Sequence, residues 1–169
     1  MISIDMSVQH DGWHTLPGGA EAFAEKTLSA AAEFLDASGL RLRERGISLL
    51  LADDAVMRPL NRDWRGRDKS TNVLSFPAAD MPMPGEAPSL GDLVLAYETV
   101  EQEAIGQDKS VGDHTAHLLV HGLLHLLGYD HEDEAEAEEM EKLERAILKT
   151  LDIADPYKDS EERDEHDHD

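Results

Sequence analysis

Between positions 114 and 131 the chain reads His-Thr-Ala-His-Leu-Leu-Val-His-Gly-Leu-Leu-His-Leu-Leu-Gly-Tyr-Asp-His, which places five of its nine histidines among leucines. This run constrains the fold most. It is apolar enough to be buried, yet imidazoles buried without partners are destabilising. The fold must therefore supply hydrogen bonds or a shared ion. Steps of four residues turn roughly 400° around a helix, so His121 and His125 share one face, one turn apart. Gly128 frees the backbone to turn, so that His131 comes round as a third ligand. Three imidazoles at roughly 2.0–2.1 Å satisfy a zinc ion and leave one position open, the layout of a catalytic site and not of a closed structural one. The expected ligands are His121, His125 and His131, and the expected ion is one zinc, with nickel also suited to three imidazoles. His114 and His117 are expected to pack or to brace the ligands. His166 and His168 are expected to belong to an exposed acidic end.

The chain has no cysteine, so its metal ligands must come from His, Asp or Glu, and no disulfide frame is available. At 169 residues it fits one hydrolase domain over 1–155, followed by an acidic tail over 156–169. Ile2 to Val8 alternate with polar residues and predict a strand; Ala20 to Ala37 predict a helix. Ile47–Leu51 predict an interior strand, and Asp53 or Asp54 caps a helix carrying Val56, Leu60 and Trp64 at steps of four. Asn72–Phe76 and Asp92–Tyr97 predict two more strands, separated by a proline-bearing surface loop over 77–90. A short helix over Glu98–Ile105 precedes the histidine helix, which Ser110 opens and Gly128 ends. A last helix runs from about Glu134 to Leu151, with Met140, Leu143, Ile147 and Leu151 on one stripe. The expectation is an α+β fold: one small mixed sheet of about four strands packed with about five helices.

The net charge of −22 is uneven. Eighteen acids against five bases lie from Asp130 onward, whereas Arg58, Arg62, Arg65, Arg67 and Lys69 gather within twelve positions. The overall acidity argues against a general nucleic-acid binder and against DNA as a partner. The basic group leaves room for a local phosphate-facing patch. No basic, apolar leader and no long uncharged apolar run is seen, so the expectation is a cytoplasmic protein without a membrane partner.

The histidine run is similar to the zincin pattern H-E-x-x-H-x-x-G-x-x-H, except that Gly122 stands where those proteases carry the glutamate acting as general base. With that glycine, His121-Gly-Leu-Leu-His-Leu-Leu-Gly-Tyr-Asp-His131 resembles the signature of the YbeY family of bacterial endoribonucleases. Trp64-Arg-Gly-Arg-Asp-Lys-Ser-Thr-Asn-Val-Leu-Ser-Phe-Pro77 and Gly91-Asp-Leu-Val94 resemble two further blocks of that family, in the same order. The resemblance spans roughly Ile2 to Leu151. It implies a single-strand-specific, metal-dependent endoribonuclease of ribosomal RNA maturation and ribosome quality control, with ribosomal RNA and the ribosome or small-subunit proteins as partners. It implies zinc at His121, His125 and His131 and places Arg65 at the family's functional arginine. Arg65 is thus the expected catalytic cation, with Arg62, Arg67 and Lys69 binding substrate. Two alternatives stay open: a zincin-like peptidase or other zinc hydrolase with a base from elsewhere, and a non-catalytic ribosome-assembly factor with structural zinc.

Overall fold

Alternating Ile4, Met6 and Val8 give β1 (Ser3–Val8) one half-buried face, while β2 (Gly46–Ala52), rich in leucine, is buried more deeply. A computed structural model describes residues 2–78, 89–129 and 133–157. Among these residues four strands form one sheet in the order β1-β2-β4-β3. β4 (Ser89–Ala96) runs parallel to β2, which runs parallel to β1. β3 (Val73–Pro77) pairs antiparallel with β4 and forms an edge. With five α-helices among the described residues, this is the expected α+β fold with a mixed sheet.

The two faces of the sheet divide the helices between them. Leu93 and Leu95 of β4 join the larger core with residues of α1 (Ala20–Asp36), α4 (Val111–Leu126) and α5 (Glu134–Thr150). Val94 and Ala96 point the other way, to Met57, Val56 and Leu60 of α2 (Asp54–Arg65). Period-two alternation along one strand thus sends α4 to one side and α2 to the other. α3 (Tyr97–Gly106) follows β4 directly and packs against α4.

Several expectations need correction. β4 starts at Ser89, so Ser89 and Leu90 leave the expected loop, and Tyr97 opens a helix instead of closing a strand. Pairing with β2 and β3 recruits the first two residues, a tertiary effect that local composition does not carry. Trp13 lies in a 3₁₀ helix over Asp11–Thr15 that buries its indole completely and gives its Nε1–H to the Ala52 carbonyl at 2.9 Å. Trp64, by contrast, is 69% exposed although it continues the stripe of Val56 and Leu60. The rest of the proline-bearing loop, 79–88, and the tail from 158 lie outside the described residues.

Candidate metal centre

α4 is capped by Ser110, whose hydroxyl accepts the Asp113 N–H at 3.0 Å. It lies with Gly122 against the sheet. A Cβ at position 122 would stand 2.6 Å from Leu93 Cδ2 and 3.4 Å from Ser75 Oγ. The missing side chain is therefore what lets this helix approach β4 and β3. The same direction explains the absent glutamate: a side chain here would run into the sheet.

On the helix face that carries them, His121 and His125 bring their Nε2 atoms to 3.0 Å. The other nitrogen of His121, Nδ1, lies 2.5 Å from Oε1 of Glu144, a residue of α5 with no exposed surface. Oε2 of that carboxylate is 3.0 Å from His117 Nε2 and also accepts a hydrogen bond from the Tyr157 hydroxyl. An ionised carboxylate has no hydrogen to give, so His121 carries its proton on Nδ1 and His117 on Nε2. The lone pair of His121 Nε2 is thereby turned toward His125 Nε2. Two imidazole nitrogens facing each other at this separation suit a shared cation, and a carboxylate behind one of them is the usual means of fixing a ligand's tautomer.

The charge state agrees with that geometry. Burial pushes the Glu144 carboxyl up, but hydrogen bonds and the positive character of His117 and His121 outweigh it and hold the group at about 2. Burial lowers His117, more than Glu144 raises it. Tyr157 is pushed far up by burial and by the neighbouring carboxylate, so its phenol keeps its proton and donates. His117, His121 and Glu144 place ligand atoms within 4.8 Å of one another and could hold a metal ion. His121 therefore belongs to two possible positions for a cation, one on its Nδ1 side and one on its Nε2 side.

His131, the third expected ligand, lies outside the described residues. His114, buried, gives its Nε2 to Glu103 Oε1 at 2.9 Å, and Glu103 also accepts from Asn72 Nδ2 at 3.0 Å. It braces α4 against α3 and the start of β3, as expected of a packing role. A cavity of about 460 Å³ opens beside this group, bounded by Asn72, Lys109, His117, His121 and Tyr157.

The basic residues sit apart from the histidines, at the end of α2 and in the turn after it. Arg58 makes a two-pronged pair with Asp68, and Arg62 pairs with Asp63 at 3.1 Å. Arg65, Arg67 and Lys69 are exposed and have no acidic partner among the described residues. Their turn is nonetheless fixed. Asn61 Nδ2 donates to the Lys69 carbonyl at 2.9 Å, and Asp54 Oδ1 accepts from Ser70 and Thr99 at 2.8 and 2.7 Å.

Sequence reasoning missed Glu144 and placed Tyr157 in the tail. A signal for Glu144 was present: it stands four residues after Met140 and three before Ile147, on the stripe that α5 buries. A carboxylate in an apolar stripe needs partners, and histidines were at hand. Nothing local marks Tyr157, because its contact spans forty residues to His117.

The comparisons with known proteins agree with one another. The family model described as Endoribonuclease YbeY matches residues 14–152. A protein named Endoribonuclease YbeY from Azorhizobium caulinodans is 50% identical over 157 residues, covering 92% of this chain and 96% of its own. One of the same name from Agrobacterium fabrum is 51% identical over 162 residues, covering 92% and 95%. The solution structure of TM1509 from Thermotoga maritima matches the fold with a TM-score of 0.56 at 21% identity, over 94% of this chain and 99% of that one. With a buried carboxylate-histidine cluster at its centre and relatives matched over nearly their whole length, the chain belongs to the YbeY family of endoribonucleases.

Proposed function

We propose that the chain is a zinc-dependent, single-strand-specific endoribonuclease acting in the cytoplasm on ribosomal RNA, at the 3′ end of the small-subunit RNA and in ribosome quality control, in contact with the ribosome or its small-subunit proteins. The observation that carries the metal is the facing pair of Nε2 atoms at 3.0 Å with Glu144 behind one of them. His121 and His125 hold zinc through Nε2, with His131 as the third ligand. When bound there, zinc supplies a water acidified to a pKa of about 7 and a Lewis acid for a phosphoryl oxygen.

The chain's own residues do the rest. Glu144 keeps the His121 proton on Nδ1, so that the ligand nitrogen never needs to shed one. Arg65 offers a permanently charged guanidinium fork to the non-bridging oxygens on which charge builds during phosphodiester cleavage. Arg67 and Lys69 bind the RNA backbone. Arg62 joins them by exchanging Asp63, since exposed ion pairs hold by only about 0–1 kcal/mol. A side chain at 122 would face Leu93, which disfavours a peptidase mechanism of the zincin kind.

Metal analysis combined with cleavage of single-stranded and duplex RNA tests this reading. The wild type binds one zinc and cuts only the single strand; His121→Ala loses metal and cleavage; Arg65→Ala keeps metal and loses cleavage. Full zinc stoichiometry in His121→Ala sinks the ligand set. Cleavage of unstructured peptides but not RNA replaces the nuclease with a peptidase, and full activity in Arg65→Ala removes the arginine from the chemistry.

A further inference from the structure

The chain has two tryptophans, and they are used in opposite ways. Trp13 is wholly buried with its indole N–H satisfied. Trp64 leaves 69% of its surface exposed on the last turn of α2 and rests against Phe76 of β3, with ring centroids 5.0 Å apart at an interplanar angle of 63°. Edge contact with Phe76 props the indole while leaving much of it open. Beside it runs a groove of about 530 Å³ over the α2 face of the sheet, floored by Leu50, Leu60 and Val94.

We propose that Trp64 is a stacking platform for an unpaired nucleobase of the RNA strand that the metal centre cuts, a subsite on the opposite face of the sheet. The inference rests on the endoribonuclease reading above. Charge selects the occupant. Close behind Trp64 in the chain stand Arg67 and Lys69, exposed bases with no acidic partner among the described residues. A second copy of a chain carrying −22 is repelled by the first, whereas a polyanion with flat apolar bases is matched by an indole flanked with guanidinium and ammonium groups. Asp5 and Asp92 lie along the groove and keep phosphates from running deeper under the sheet, so the backbone stays near the bases and only the nucleobase meets the ring.

Topology joins this platform to the metal centre. β3 is the edge of the sheet, and successive residues face opposite sides. Ser75 meets the Gly122 carbonyl of α4 at 3.4 Å, and Phe76 meets Trp64. Ser75 thus touches the sheet-facing side of the helix that carries the histidines, and Phe76 touches the platform, so a single-stranded RNA crossing that edge passes from one face of the sheet to the other. A duplex offers no unstacked base, so the platform also discriminates against double-stranded RNA.

Fluorescence reads this directly, because Trp13 is shielded and Trp64 is not. Holoprotein is mixed rapidly with a single-stranded oligouridine 12-mer, or with a 12-bp duplex, and emission is recorded before cleavage proceeds. Quenching by the single strand, none by the duplex, and loss of the quench in Trp64→Phe are expected. Trp64→Ala should raise KM for single-stranded RNA roughly five- to a hundredfold, the usual range for one stacked base, and move kcat far less. Phenylalanine, still a stacking ring, should restore most of the KM. Absence of quenching overturns the platform, whether or not the RNA is cut, and cutting is scored separately as the test of the nuclease reading. Emission that shifts with protein concentration alone, or on adding an apolar peptide but not RNA, assigns the face to another copy or to a protein partner and overturns it equally.

Discussion

At the residue scale the centre is braced by Glu144, a group the sequence pattern does not mark. Glu144→Gln keeps the volume but replaces one acceptor oxygen with a donor, so it cannot satisfy both His117 and His121. Zinc affinity, measured by competition with a chromophoric chelator, should fall roughly ten- to a hundredfold while saturating zinc still gives one ion per chain. Complete loss of stoichiometric binding would instead make Glu144 a ligand and move the ion to its side of His121. Gly122→Ala tests the packing of the same helix. Alanine favours a helix over glycine by about 1 kcal/mol, but the added Cβ meets fully buried Leu93 at 2.6 Å. Overpacking of that kind costs about 1–3 kcal/mol, so the net change in urea unfolding should be a loss of stability. A gain would show that Leu93 has room to turn. His121 and His125 were legible because helical spacing alone puts them on one face. The stripe of α5 marked Glu144 as buried but not its partners, which lie on another helix, twenty-three residues away for His121.

Elements couple through the polar chain from β3 to α4. Burial pushes the Glu103 carboxyl up, but the hydrogen bonds from His114 and Asn72 and the His114 charge prevail and hold it below the usual carboxylate range. A carboxyl with a depressed folded pKa contributes stability that is present above its unfolded value near 4.5 and is lost as pH falls through the folded one. Wild type should therefore be more stable than Glu103→Gln at pH 6, and the gap should close on acidification below about pH 4. Thermal melts across that range decide it; a constant gap would mean the carboxylate's charge plays no part. Periodicity made most of these elements readable, since β1, α1, α4 and α5 each bury one regular face. It failed where pairing across the sheet decides, as at Ser89 and Leu90, and where a stripe outruns its partner, as at Trp64. α2 is covered by β4 only along Met57 and its neighbours, and its last turn projects past the sheet's apolar cover.

For the whole molecule, acidity and RNA binding coexist through segregation. No helix among the described residues is long and apolar enough to cross a membrane. Arg65, Arg67 and Lys69, exposed and without an acidic partner among the described residues, stand close together in the chain against a net charge of −22. With roughly −0.7 in the salt slope for each phosphate contact to a single strand, binding should show a slope of about −2 in log K against log salt. Removing Arg67 or Lys69 should flatten it by about 0.7 apiece. A slope near zero would mean that these residues do not touch phosphate. The acidic remainder should make association with RNA slower than for a neutral protein at low salt, while the bound complex depends only on the local patch.

The alternation of Ser75 and Phe76 has a consequence for folding fidelity. A slip of β3 by one residue against β4 would exchange the two side chains, setting a phenyl ring against α4 and a hydroxyl beneath Trp64. The pairing is protected where Gly91 faces Pro77: its φ of 134° and the approach of the Phe76 carbonyl, 2.2 Å from any Cβ built there, admit no side chain. A neighbouring register would put Leu90 or Asp92 where the backbone conformation and the close carbonyl favour glycine, so the observed pairing is preferred. Cutting and base stacking are thus set by one alignment, and an error in it forfeits both together.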